Sequence, residues 1–181
     1  MTDSTWTLTA ADGELQVLTG VGGPAAKMGH RLTIAMASWR ADVTWRGSKP
    51  IAAELVVDVD SLQVLKGEGG VTPLSGPEKV VVRSNALNAM DVKKYPQIRF
   101  SADDIAKTDT GYRLTGTVEI HGKSRPQSVD LEVDDHGGTW VMTAEVPVAQ
   151  TEFGVKPYSL LMGTMKVADE VMVKFIARHP K

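Results

Sequence analysis

Alternation with a period of two runs through this chain and confines it to sheets, because successive side chains of a strand point to opposite faces. His30, Leu32, Ile34 and Met36 alternate with Arg31, Thr33, Ala35 and Ala37. Tyr112, Leu114, Gly116, Val118 and Ile120 alternate with Arg113, Thr115, Thr117 and Glu119. Similar sets follow at Leu15 and Val17, Val43 and Trp45, Leu55 and Val57, Ile98 and Phe100, Val129 and Leu131, Trp140 and Met142, and Val171, Val173 and Phe175. One helix is expected over 84–93, with Ser84 as its cap and Leu87 and Met90 on one face; Tyr95-Pro96 ends it. The glycine-rich runs Gly20-Val21-Gly22-Gly23 and Gly67-Glu68-Gly69-Gly70 read as loops.

Short strands in close succession argue for an antiparallel meander, and about eight of them can remove both exposed edges by closing. The expected architecture is all-β: a closed, antiparallel, up-and-down eight-stranded barrel with one short helix, forming a single domain over 1–181. Ile34, Met36, Leu114, Val118, Met142, Val173 and Phe175 form the inward set, so the lumen should be apolar. A filled core and a ligand-lined lumen draw on the same residues.

Composition excludes several classes of function. Twenty basic and 22 acidic residues give a net charge of −2 with no basic stripe, so nucleic acid is not an expected partner. There is no cysteine, which removes thiolate catalysis and Cys-ligated metal sites. The first residues, Met-Thr-Asp-Ser-Thr-Trp, do not read as a signal peptide, and no apolar stretch is long enough for an integral membrane segment. The cytoplasm is the expected compartment.

No hydrolase elbow, zinc-protease helix, dinucleotide fingerprint or phosphate loop occurs, so neither catalytic residues nor cofactor nor metal is expected. The four histidines lack metal-ligand spacing. His30 enters a strand at what should be a barrel rim, where it can meet a ligand head group or be satisfied by a neighbouring backbone carbonyl. Eight methionines against three phenylalanines suit an adaptable apolar surface. The segment 156–163, bounded by Pro157 and Gly163, reads either as a flap over a barrel mouth or as a loop on the exterior.

Six strings occur in order over nearly the whole chain: Ala26-Lys27-Met28-Gly29-His30-Arg31-Leu32-Thr33-Ile34, Val59-Asp60-Ser61-Leu62, Lys94-Tyr95-Pro96-Gln97-Ile98-Arg99-Phe100, Leu114-Thr115-Gly116-Thr117-Val118-Glu119-Ile120-His121-Gly122, Phe153-Gly154-Val155-Lys156-Pro157-Tyr158 and Val167-Ala168-Asp169-Glu170-Val171. With them the sequence resembles the YceI-like family, most closely its actinobacterial branch. The resemblance implies a lipocalin-like barrel with an elongated apolar tunnel, a polyisoprenoid or other long-chain lipid ligand, no cofactor, and a homodimer. On that basis Ile34, Met36, Leu114, Val118, Met142 and Phe175 are the expected wall, Trp39, Met90, Phe153 and Met162 are expected at a mouth, and His30 and Tyr158 are the head-group candidates. Two other functions are weighed beside lipid binding. A barrel enzyme of isomerase or cyclase type would need a buried acid or base, for which His30 with Asp60 or Glu119 is the best pair. A stress-related scaffold would show an exposed apolar patch.

Overall fold

The structure is a computed structural model that describes residues 2–181, apart from the side chains of Leu160 and Leu161. In chain order its elements are β1 (Asp3–Thr9), β2 (Gly13–Leu18), β3 (Val21–Gly22), β4 (His30–Met36), β5 (Trp39–Arg46), β6 (Lys49–Asp58), β7 (Leu62–Gly69), α1 (Gly76–Ala89), β8 (Gln97–Lys107), β9 (Gly111–Ile120), β10 (Lys123–Asp135), β11 (Thr139–Ala149), β12 (Ser159–Leu160), β13 (Met165–Val167) and β14 (Glu170–Pro180). Eleven strands form one antiparallel sheet in the order β1-β5-β6-β8-β9-β10-β11-β14-β2-β4-β7, and β12, β13 and β3 form a small second one.

The expected antiparallel, curled, mostly β architecture is present, but with eleven strands in the main sheet where eight were expected. Alternation marks nine of the eleven, and the two it did not reveal are the outermost strands, β1 and β7. In β1, Trp6 and Leu8 alternate with threonines, which read weakly as the outer face of a strand. The end of β7 is the Gly67–Gly69 run read as a loop; it is a strand because chain packs directly over it, and a Cβ on Gly67 would lie only 3.0 Å from the His30 side chain and 3.1 Å from Leu74. The other glycine run is corrected in the same way, since Val21 and Gly22 pair with Val167 and Lys166.

Among the described ladders β1 and β7 do not pair with each other, so the sheet curls into a half-barrel rather than closing by hydrogen bonds all round. The chain itself bridges the seam, passing from β4 to β5 and from β6 to β7. There Ala37 N donates to Ser61 O (3.2 Å) and Asp58 N to Ser38 O (3.0 Å). Irregularities in the ladders bend the strands. Ile34 sits opposite Val64 and Thr33 opposite Lys66, leaving Leu65 as an extra residue that is pushed outward into solvent.

The helix covers the seam beside β7. It begins eight residues before the expected start, with Ser75 and Glu78 closing a capping box: Glu78 N donates to Ser75 Oγ (3.3 Å) and Ser75 N to Glu78 Oε1 (3.2 Å). Three consecutive β-branched residues, Val80 to Val82, hid this start, because such residues lose rotamer freedom in a helix. Arg83 pins the helix to the β6–β7 connection by donating from Nε to Leu62 O (2.8 Å) and from an Nη to Asp60 O (2.6 Å).

The interior divides into two ends. At one, Leu8, Leu15, Trp39, Val57, Met142 and Ala177 are buried together, and the Trp39 ring meets Phe175 edge-on at 5.4 Å. The indole N–H of Trp39 is buried there without a hydrogen-bond partner. Outside this end Trp6 stacks flat on His179 with ring centroids 3.7 Å apart, tying β1 to β14. The other end is hollow.

Candidate functional site

The hollow end is a cavity of about 550 Å³. On two of the strands that meet it, β14 and β2, the step from the filled end into the cavity replaces a larger side chain by a valine. On β14 the inward residues pass from Ala177 and Phe175, which pack in the core, to Val173 and Val171, which border the cavity. On β2 they pass from Leu15 to Val17. The register keeps these layers level: Phe175 lies beside Leu15 and Ala144, and one layer up Val173 lies beside Val17 and Val146. Leu32, Ile34 and Met36 of β4 form one wall, Ile98, Ile120 and Val148 supply others, and Val82, Ala86 and Ala89 of α1 close the seam side. The wall is aliphatic, and no charged side chain borders it in these layers.

Polar residues also border the cavity: Thr19, His30, Thr72, Glu78, Asn85, Gln150, Tyr158 and Lys166. His30 is held by the chain that follows β7. Gly69 and Gly70 take φ of +79° and +73°, a conformation open to glycine at little steric cost, and so turn the chain back over the imidazole. A Cβ on Gly70 would lie 2.8 Å from His30 Nε2. Nε2–H then donates to Thr72 O at 2.7 Å. In the neutral ring this leaves Nδ1 as the acceptor. The Glu78 carboxyl is held below the usual carboxylate range, chiefly by its capping bonds with Ser75 and in smaller part by the field of His30.

Phe153 reaches the cavity from a 3₁₀ turn, Gln150–Phe153, where it is 2% exposed. Asp169 fastens that turn by accepting from Thr151 Oγ1 (2.7 Å) and Thr151 N (2.8 Å), bonds that also hold its carboxyl below the usual range. Gln150 Nε2 donates to Ala168 O (3.1 Å), and His121 Nδ1–H donates to Phe153 O (3.2 Å).

Of the residues singled out in the sequence, Ile34, Met36, Met90, Phe153, His30 and Tyr158 border the cavity. The other six lie elsewhere. Trp39, Met142 and Phe175 belong to the filled end, and Val118 packs in a second buried cluster behind Phe153 and Val155. Leu114 is half-buried at the far part of β9, between Ile105 and Val129. Met162 projects fully into solvent from a left-handed turn at φ 55°. For His30, the backbone-carbonyl partner and the place at the rim turn out to be compatible. In the segment 156–163, Tyr158 borders the mouth and Ser159 pairs with Lys166, while the side chains of Leu160 and Leu161 lie outside the described residues.

The lining residues that sequence reasoning missed are large and small alike, Leu32, Ile98 and Ile120 as well as Val17, Val82, Ala86, Val148 and Val171. For the strand residues the alternation carried the face but not the position along the barrel. Met28, Val71 and Tyr158 at the mouth are 52%, 77% and 42% exposed, so the rim is an apolar lip. The acid–base pairs considered for an enzyme do not form at this cavity, because neither Asp60 nor Glu119 borders it and Asp60 is engaged by Arg83. Among the described residues no three His, Asp or Glu side chains gather as a metal site, and no helix is long and apolar enough to cross a membrane.

The fold has solved counterparts. The structure of Burkholderia cenocepacia BcnA is similar at a TM-score of 0.70 and 22% identity, covering 94% of this chain and 98% of that one. A Campylobacter jejuni YCEI protein is similar at a TM-score of 0.60 and 13% identity, covering 82% of this chain and 84% of that one. No curated protein matches the sequence. The sequence matches the YceI-like domain over residues 6–178, a span that takes in the curled sheet, apart from the first residues of β1 and the last of β14, and the helix that closes its seam. By that match the chain belongs to the YceI-like family.

Proposed function

We propose that this protein binds one long-chain apolar or amphiphilic molecule, of polyisoprenoid or fatty-acyl type, in the cavity, and that it carries or sequesters this molecule without transforming it. The observation behind this reading is the cavity of about 550 Å³ with a mostly apolar lining. Ile34, Met36, Met90 and Phe153, together with Val17, Leu32 and Val173, would contact the chain, and His30 and Tyr158 its head group. Water is a poor occupant of such a wall, which offers it few hydrogen bonds.

The energetics are sufficient. Burying roughly ten methylenes at ~0.8 kcal/mol each contributes on the order of 8 kcal/mol before ordering costs. Micromolar affinity remains attainable after those costs without a charged contact. A cytoplasmic location and a homodimer complete the reading and are checked by cell fractionation and light scattering.

The first experiment is solvent extraction of the purified protein together with native mass spectrometry. A long-chain species retained at one copy per chain is the expected result. An empty protein that also refuses fatty-acyl and prenyl probes overturns the proposal.

A further inference from the structure

We infer that the head group of the bound molecule is a neutral hydroxyl, which donates its proton to His30 Nδ1 and accepts a hydrogen bond from Thr19 Oγ1. The inference rests on the lipid-binding reading and adds the chemical class of the head: a long-chain alcohol rather than a fatty acid.

Two polar side chains on the cavity wall keep unused hydrogen-bonding capacity, and the two are opposite in kind. His30 and Thr19 both border the cavity. The partner of His30 Nε2, Thr72 O at 2.7 Å, is a carbonyl and can only accept. Nε2 therefore carries the proton, and in the neutral ring Nδ1 keeps a lone pair with no hydrogen bond among the described residues. Thr19 is the reverse case. Its Oγ1 accepts from Leu32 N at 3.0 Å, while its own O–H has no acceptor among the described residues.

Strand register brings the two together. Val17 pairs with Ile34 and Leu18 with Thr33, and the backbone bond from Thr19 N to Leu32 O (3.0 Å) carries that ladder one residue further. Thr19 thus faces Leu32. His30 lies on the same side of β4, next but one to Leu32, and is the diagonal neighbour of Thr19 at a Cβ separation of about 7 Å. No hydrogen bond joins the two side chains directly. One oxygen between them completes both bonds if it accepts and donates, which a hydroxyl does and an ether or a carboxylate does not.

Charge points the same way. Among the described residues that border the cavity, Glu78 is the one carboxylate and Lys166 the one ammonium, so the lining offers an anion no net attraction. Glu78 also lies within electrostatic reach of His30, and an anionic head placed there would meet its negative charge. The other polar residues of the lining are uncharged, and Gln150 is already engaged with Ala168 O.

The test compares three ligands that share one alkyl chain, dodecanol, its methyl ether and dodecanoate. Their affinities for the full chain are measured by calorimetry at about pH 8, above the ordinary imidazole range. Dodecanol should bind about tenfold more tightly than the ether, and dodecanoate should fall short of dodecanol by at least about that factor. His30→Phe keeps a ring and removes the acceptor. It should shrink the gap between alcohol and ether to within about twofold, a change in discrimination that a loosened rim would not produce. If His30→Phe does not fold, the three ligands on the unaltered protein decide alone. Equal affinities for alcohol and ether, as a water held between His30 and Thr19 would give, overturn the head-group inference while leaving lipid binding intact. So does tighter binding of dodecanoate, or a gap that survives His30→Phe. Failure of all three to bind, with no retained lipid in the native protein, overturns both.

Discussion

The two ends of the curled sheet share strands, register and alternation, yet one is packed solid and the other is hollow. The contrast is clearest in two leucines on adjacent strands. Leu15 of β2 is 5% exposed and sits among Trp39, Phe175 and Met142, while Leu32 of β4 is 9% exposed and borders the cavity. Burial alone does not separate them. What does is whether a void lies beside them: the Trp39–Phe175 pair and Met142 fill the end where Leu15 packs, whereas Leu32 faces the cavity.

That comparison predicts the largest stability effect at the filled end. Leu15→Ala should cost about 4 kcal/mol, because it opens a new void among side chains that cannot collapse. Leu32→Ala enlarges a space that already exists and should cost about 2 kcal/mol, near the lower limit for such truncations. Urea unfolding of both variants measures the difference, and equal costs would remove the distinction between the ends. Ser75→Ala tests whether the helix that roofs the hollow end has stability of its own. Losing the cap should cost about 1 kcal/mol and weaken ligand binding, with little effect on hydrogen-exchange protection around Trp39.

The smallest effect is expected from acid. The carboxyls of Asp169 and Glu78 at the hollow end, and of Asp3 and Asp135 at the filled end, titrate below their ordinary values through hydrogen bonds to Thr151, Ser75, Arg46 and Lys181 respectively. The folded state therefore binds fewer protons than the unfolded one in the carboxylate range. The stability these groups contribute is fully present above their unfolded pKa values, near 4, and is lost as pH falls through the lower folded values. Asp3, Glu78 and Asp135 are exposed and Asp169 is only half-buried, so the loss is shallow. Asp169→Asn should flatten the acid slope of the denaturation midpoint and loosen Phe153. A slope unchanged in that variant would show that the turn is held by packing instead.

The sheet was legible because alternation is written directly in strands such as β4 and β9. The edges were not, for two different reasons. In β1 the outward positions are threonines and the inward run is short. In β7 the glycines that look like a loop are there to let the next segment lie on the strand. The helix start was hidden because Val80 to Val82 argue locally for a strand, and the capping box of Ser75 and Glu78 outweighs them only with tertiary support from Arg83. For the site, His30 and Phe153 were accessible through their sequence contexts. Phe175 and Met142 were assigned to the wall, and Trp39 to a mouth, because period two reports which face a residue occupies and not how far along the barrel it lies. That second coordinate comes from strand register, which pairs residues distant in sequence.

The apolar lip also has a chemical consequence. Met28 of the lip is half exposed, whereas Met36 and Met142 are enclosed. Thioethers at such positions are the first to meet an oxidant, and each sulfoxide formed replaces a flexible apolar tip with a polar, chiral one. The rim would become hydrophilic while the interior stayed unchanged, and methionine sulfoxide reductases could reverse it. The wettability of the opening is thus open to redox chemistry, independently of the space behind it.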